Sequence, residues 1–175
     1  MATLIETGHP APEFSLPDLE GKPHSLVDYR GSVVVINFWS AECPWAERAD
    51  REVLPMLARW GERVALLSIA ANANEPAELL SRVAGERNLL LVLHDEDRRV
   101  ADLYGVKTTP HLFVIDPQGI LRYQGAFDDV TFRRREPTQN YLEAAVQALL
   151  AGREPHPAET PPYGCTLVRH PVEST

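Results

Sequence analysis

Cysteine is scarce in this chain: 175 residues hold only Cys43 and Cys165. Two cysteines do not make a disulfide scaffold, and in a reducing compartment such a pair is catalytic, redox-sensing or simply buried. Neither has a second Cys or a His at ligand spacing, so no zinc site is expected, and no other metal or cofactor is called for. Long apolar runs are missing too. No stretch approaches the roughly 18 uninterrupted apolar residues of a membrane span, and the N-terminus lacks the basic start and apolar core of a secretory signal. The expectation is a cytoplasmic protein with no membrane partner. Basic charge is also in deficit, at a formal net charge of −8, which disfavours nucleic acid as a partner. The one dense basic run, Arg133 to Arg135, is followed at once by Glu136 and reads as a solvated loop.

The remaining composition, 44% hydrophobic and 24% charged, is that of a globular protein, and the length fits one domain. Asp18-Leu19-Glu20-Gly21 reads as a tight turn in an N-terminal hairpin. Val33 to Trp39 is a β-branched run with little alternation, as in a strand buried on both faces. It stops at Ser40-Ala41-Glu42-Cys43-Pro44. There the period changes, and Ala46, Ala49, Val53, Leu57 and Trp60 mark one face of a helix. Pro44 suits its first turn, Pro55 should kink or divide it, and Gly61 ends it.

Further strands are expected at Val64 to Ala70 and Leu89 to Leu93, with helices at Pro76 to Ala84 and around Arg98 to Tyr104. Leu112 to Asp116 and Ile120 to Tyr123, joined by a Pro-Gln-Gly turn, read as an antiparallel hairpin. A last helix is expected from Thr138 to Leu150. The fold class is α/β, a mixed sheet with helices on both faces, in a domain spanning 1–151. Residues 152–175 form a proline-rich, extended, semi-rigid tail that carries Cys165.

Cys43 is the outstanding residue, because it sits where a buried strand delivers the chain to a helix N-terminus. First-turn N–H groups and the helix dipole favour negative charge there. The thiolate, the nucleophilic form, should therefore be favoured. Glu42 opposes this, and Arg48, a turn into the helix, offsets it if its side chain folds back. The competing reading is a structural cysteine that happens to open a helix. Pro110, between Thr109 and a strand, marks an edge or a cis bend. His111 is read as a surface histidine, with a proton shuttle near pH 7 as the alternative. Trp39, Trp45 and Phe38 pack in the core or rim the site. Asn72 and Asn74 lie at a strand end, where α/β sites collect.

The segment Val33 to Ala46, with Cys43-Pro44-Trp45-Ala46 at its end, resembles the active-site segment of the thioredoxin superfamily. It is most similar to the redoxin branch, which holds the alkyl hydroperoxide reductase/thiol-specific antioxidant proteins and the membrane-tethered cytochrome-maturation thioredoxins. Ala11 to Leu16 and Leu26 to Gly31 match that branch's lead-in. Val106 to Pro110 followed by Leu112 to Asp116 match its cis-proline strand. The resemblance covers roughly residues 8 to 151, and Gly164-Cys165-Thr166-Leu167 resembles the tail of one thioredoxin-like subgroup. It implies a thioredoxin-like fold, a cis Pro110 facing Cys43, and a substrate chain pairing beside it.

One departure bears on mechanism. Thioredoxins carry a second cysteine three residues after the first, and here that residue is Ala46. A single-thiol site cannot resolve a mixed disulfide locally, which leaves Cys165 or an external thiol such as glutathione. The stretch from Gly152 to Cys165 spans up to about 45 Å when extended, enough to reach Cys43 within one subunit or across a homodimer.

The leading expectation is thiol–disulfide exchange on a protein or small-molecule disulfide. Cys43 would be the nucleophile, Cys165 the resolver, and Ser40, Trp45, Thr109 and His111 would stand at the substrate. The alternative is a peroxiredoxin-type antioxidant activity, with Ser40 resembling the peroxide-orienting Thr or Ser of that family. It is disfavoured because the family's arginine has no counterpart and its proline is replaced along Ile36 and Asn37. A third reading is a non-enzymatic binding or metal-carrying module with Cys43 and His111 as soft ligands; two ligands are too few for a firm site.

Overall fold

The computed structural model describes residues 5–170. A short hairpin, β1 (Ser15–Pro17) and β2 (Pro23–Ser25), precedes β3 (Val33–Trp39), α1 (Pro44–Trp60) and β4 (Val64–Ala70). Then come α2 (Ala77–Glu86), β5 (Val92–His94), α3 (Arg99–Leu103), β6 (Thr108–Thr109), β7 (His111–Ile115) and β8 (Leu121–Gly125). The chain closes with α4 (Tyr141–Leu150) and β9 (Cys165–Thr166). The main sheet has five strands in the order β5-β4-β3-β7-β8, and a separate pair joins β6 to β9. Strand β3 is parallel to β4 and antiparallel to β7. The sheet is therefore mixed, as the sequence pattern implies.

Every residue of β3 is buried, because both of its faces are covered. Alternation sends Val34, Ile36 and Phe38 into one core with Phe14, Leu16, Val100, Tyr104 and Phe113. Val33 and Val35 point into a second core with Val53, Met56, Leu142 and Val146. The N-terminal hairpin and α3 thus cover one face, and α1 and α4 the other. Each large side chain fully buried here stabilises the fold by roughly 1.5–3 kcal/mol.

Three elements differ from expectation. Helix α1 runs undivided through Pro55. Both Pro55 and Arg51, whose carbonyl loses its helical partner, are exposed, so the break in the hydrogen-bond ladder falls on the solvent side of the helix. Strand β5 is confined to Val92–His94, because the chain turns at Asn88 with φ 59° and Leu90 stands in solvent. Helix α4 starts at Tyr141 because Asn140 caps it, its side chain accepting the Glu143 amide at 2.9 Å. Thr138 bonds to Asp129 instead.

The proline-rich segment is extended and lies along the domain. Gln124 donates to the Ala158 carbonyl and accepts from the Thr160 amide, each at 3.1 Å. The Thr160 hydroxyl accepts the Ala126 amide at 2.9 Å. At Gly125 a Cβ would lie 2.2 Å from the Thr160 carbonyl oxygen, so only glycine admits the tail this closely. Further on, Val168 donates to the Asn72 side chain at 2.7 Å and accepts the Ala73 amide at 2.8 Å. Among the described residues no helix is long and apolar enough to cross a membrane.

Candidate active site

Cys43 is the N-cap of α1, with extended backbone at φ −89° and ψ 120°, and Pro44 opens the helix. Its side chain is almost fully enclosed, at 2% exposure. The reason is a disulfide to Cys165, with the two Cα atoms 6.2 Å apart. The Sγ of Cys43 also lies 3.5 Å from the Thr109 carbonyl oxygen. The Thr109–Pro110 bond is cis, and β9 pairs antiparallel with β6 so that Cys165 stands opposite Thr109. Cys43, Cys165, Thr109 and Pro110 thus meet at one point. Trp45 flanks them with its ring edge-on to Tyr163, centroids 5.0 Å apart.

The loop that presents Cys43 is clamped from both sides. The buried carboxylate of Glu75 accepts the Ser40 hydroxyl at 2.6 Å, the Ala41 amide at 2.9 Å and the Glu42 amide at 3.4 Å. Arg87 donates to the carbonyls of Ser40 at 3.4 Å and Ala41 at 2.6 Å. One acid thus takes the loop's donors while one guanidinium takes its acceptors. Arg87 also pairs with Asp50 at 3.1 Å, and Trp39 donates to the same carboxylate through its indole N–H at 2.7 Å. Burial pushes the Asp50 carboxyl above its ordinary range, and the bonds from Trp39 and Arg87 pull it back in part.

The other expected residues stand as follows. The Ser40 hydroxyl is spent on Glu75. Arg48 does not fold back toward Cys43; it forms a two-pronged pair with Asp128, at 3.2 and 2.5 Å. His111 is a correction, since it is not a surface residue. It is buried at 8% exposure and stacked on Phe113 with centroids 4.5 Å apart. Phe113 belongs to the core on the face away from α1. Burial holds the His111 pKa down at about 4, so its ring is in the neutral form near pH 7. Asn72, at its strand end, accepts the Val168 amide and so holds the tail backbone.

Sequence reasoning missed Glu75, Arg87 and Asp50. Glu75 offered one signal, its place just after a parallel strand end beside the two asparagines. Arg87 and Asp50 look like ordinary helix-surface charges until the fold turns them inward. Among the described residues no cluster of three or more His, Cys, Asp or Glu side chains could hold a metal ion.

Residues 7–124 match the AhpC/TSA family. The chain belongs to that family. Within the AhpC/TSA redoxins it is similar to the thiol-disulfide oxidoreductase ResA of Geobacillus thermodenitrificans. The two are 35% identical over 121 residues, 67% of each chain. It is also 33% identical, over 132 residues, to the thiol:disulfide interchange protein DsbE of Yersinia pestis, covering 72% of this chain and 69% of that one. Among solved structures, a Sinorhizobium meliloti protein superposes with a TM-score of 0.86 at 26% identity over 98% of both chains. The thioredoxin domain of a Bacteroides vulgatus thiol-disulfide oxidoreductase shares the fold, with a TM-score of 0.61 at 22% identity over 75% of this chain and 93% of that one. The family match stops before Cys165, whereas the Sinorhizobium match includes the tail.

Proposed function

We propose that this redoxin is a thiol–disulfide oxidoreductase in which Cys43 attacks and Cys165 resolves. The observation that carries the reading is the pairing of Cys43, at a helix N-terminus, with Cys165, held on the strand opposite Thr109. With both cysteines reduced, the Cys43 thiolate attacks one sulfur of a substrate disulfide. A mixed disulfide forms, and the other substrate sulfur leaves as a thiolate that takes a proton from solvent. The Cys165 thiolate then attacks the Cys43 sulfur, restores the Cys43–Cys165 bond and releases the second substrate thiol. Two electrons pass from the enzyme dithiol to the substrate disulfide. An external dithiol reductant, reacting by the same exchange, resets the pair.

The helix N-terminus supports the step, since its dipole favours the thiolate over the thiol. Exchange is favoured over peroxide reduction because the two arginines nearest the Cys43 loop among the described residues are already engaged and leave no cation free for a leaving oxygen. Arg48 is neutralised by Asp128, Arg87 by Asp50 and the loop carbonyls, and the Ser40 hydroxyl is engaged. A missing charge stabiliser costs about two orders of magnitude in rate. Stopped-flow kinetics with a model disulfide and with hydrogen peroxide test the reading. Disulfide turnover should dominate, and Cys43→Ser should abolish it while cooperative unfolding persists. Rapid peroxide consumption at micromolar levels would overturn it.

A further inference from the structure

Strand β6 lies outside the five-stranded sheet, and its described partner is β9 alone. The pairing sets Thr109 opposite Cys165 and Thr108 opposite Thr166. It continues where the Leu167 amide donates to the Lys107 carbonyl at 2.9 Å. Contacts of this kind are made by backbone, so they hold any extended chain in register without regard to sequence. Selection must come from the side chains, and three positions supply it.

At Gly164 a Cβ would sit 2.0 Å from the Thr109 carbonyl oxygen, 2.8 Å from its carbon and 2.9 Å from Pro110 Cδ. Two of those atoms are backbone and the third belongs to a ring, so none can swing aside. One residue earlier, Tyr163 rests on Trp45, and its hydroxyl accepts the Phe132 amide at 2.8 Å. Two residues after the cysteine, Leu167 is 3% exposed within the core that holds Val106 and Phe113.

We propose that the Tyr163–Leu167 segment is the internal occupant of a polypeptide-binding edge, and that this edge selects substrates of the same pattern. The pattern is an extended strand with an aromatic residue and then glycine before the reactive cysteine, and an apolar residue two places after it. This rests on the exchange chemistry proposed above and adds what the site accepts. A guest strand in this register places its cysteine sulfur where that of Cys165 lies, against Cys43. Guest and tail therefore cannot be seated together. Reduction of the Cys43–Cys165 bond frees the tail to peel away and opens the edge. When the tail returns, one movement brings the resolving sulfur to Cys43 and expels the reduced guest.

The test uses the full chain carrying Cys165→Ser, so that Cys43 is the only thiol. The probes are synthetic peptides of sequence Pro-Tyr-Gly-Cys-Thr-Leu-Val whose cysteine is activated as a disulfide with thionitrobenzoate. In two further peptides the glycine is replaced by alanine or the leucine by serine. Release of thionitrobenzoate should be roughly tenfold or more slower for each altered peptide, the scale of one lost or clashing contact. The symmetric small disulfide of thionitrobenzoate serves as the sequence-free control. Adding Gly164→Val to the chain should evict the tail and raise the rate of the parent peptide several-fold. Equal rates for the three peptides overturn the selection pattern, and an unchanged parent rate with Gly164→Val overturns competition by the tail. Both failures leave the exchange chemistry standing if Cys43 still reacts with the small disulfide. A Cys43 inert toward that control would instead sink the proposed function.

Discussion

Glu75 holds Ser40 by its hydroxyl at 2.6 Å, although 34 residues separate the loop amide of Ala41 from the same carboxylate in sequence. The acid is 4% exposed, so its charge is offset by the loop's donors rather than by water. Glu75→Ala would leave those donors buried without partners. A stability loss of about 3 kcal/mol is expected, since each orphaned buried donor costs about 1–3 kcal/mol. The Cys43 reaction with a model disulfide should slow as well, because the loop loses its anchor. Ser40→Ala removes one bond and should cost about half as much. Urea unfolding and disulfide kinetics on both variants check the order.

Arg87 sits between Asp50 and the loop carbonyls, and its removal strands both. Asp50 is 1% exposed; its Oδ2 takes both Arg87 and Trp39, its Oδ1 has no hydrogen-bond partner, and Arg87 is the cation that offsets its charge. Breaking a buried ion pair from one side costs about 3–5 kcal/mol, so Arg87→Met should be among the most damaging single changes in the domain. Arg87→Met with Asp50→Leu should recover part of the loss. A double-mutant cycle in denaturant measures the coupling, and additive losses would contradict it.

The bond between Cys43 and Cys165 closes a loop of sequence separation 122. Chain-entropy arguments assign about 4–5 kcal/mol to a loop of that size. Reduced protein and Cys165→Ser should both unfold at correspondingly lower denaturant than oxidised protein. Cys165→Ser should also accumulate mixed disulfide with substrate, visible as a mass increase at Cys43, because the resolving thiol is gone.

His111 predicts an acid sensitivity with a definite sign. Its pKa falls from 6.5 to about 4 on burial, so the unfolded chain binds more protons between those values. Stability attributable to this residue is full above pH 6.5 and is lost as pH falls toward 4, by about 3 kcal/mol in all. His111→Leu should remove that slope. Unfolding free energies of the two proteins compared across the window give the result, and parallel curves would refute it.

Local pattern made the junction of β3 and α1 legible. A β-branched run, a change of period and Pro44 together placed Cys43 at a helix N-terminus. The Thr109-Pro110 pair was legible by resemblance. Cys165 was legible as the partner of Cys43, being the other cysteine of the chain. Whether the bridge closes within one subunit or across two was not, because the reach of the tail allows both. β9 is only two residues long and owes its existence to β6. Glu75, Arg87 and Asp50 escaped notice because charged residues on helices and at their ends are usually solvated, and only tertiary packing turned these three inward. His111 was misread for a simpler reason: it belongs to the interior strand β7, whose every residue is buried.

The pairing of a residue near the start of the domain with one near the end of the described chain gives oxidation a topological meaning. Oxidised, most of the domain is a closed covalent ring, and the ring's last arc is the extended segment that Gln124, Ala126 and Thr109 hold down. Opened by reduction, the same segment loses its covalent tie and is held by hydrogen bonds and by the packing of Tyr163 and Leu167. A protease that must thread or clip an extended chain would meet two different substrates in one sequence. The electron count of the two sulfurs thereby sets how exposed the protein is to being cut.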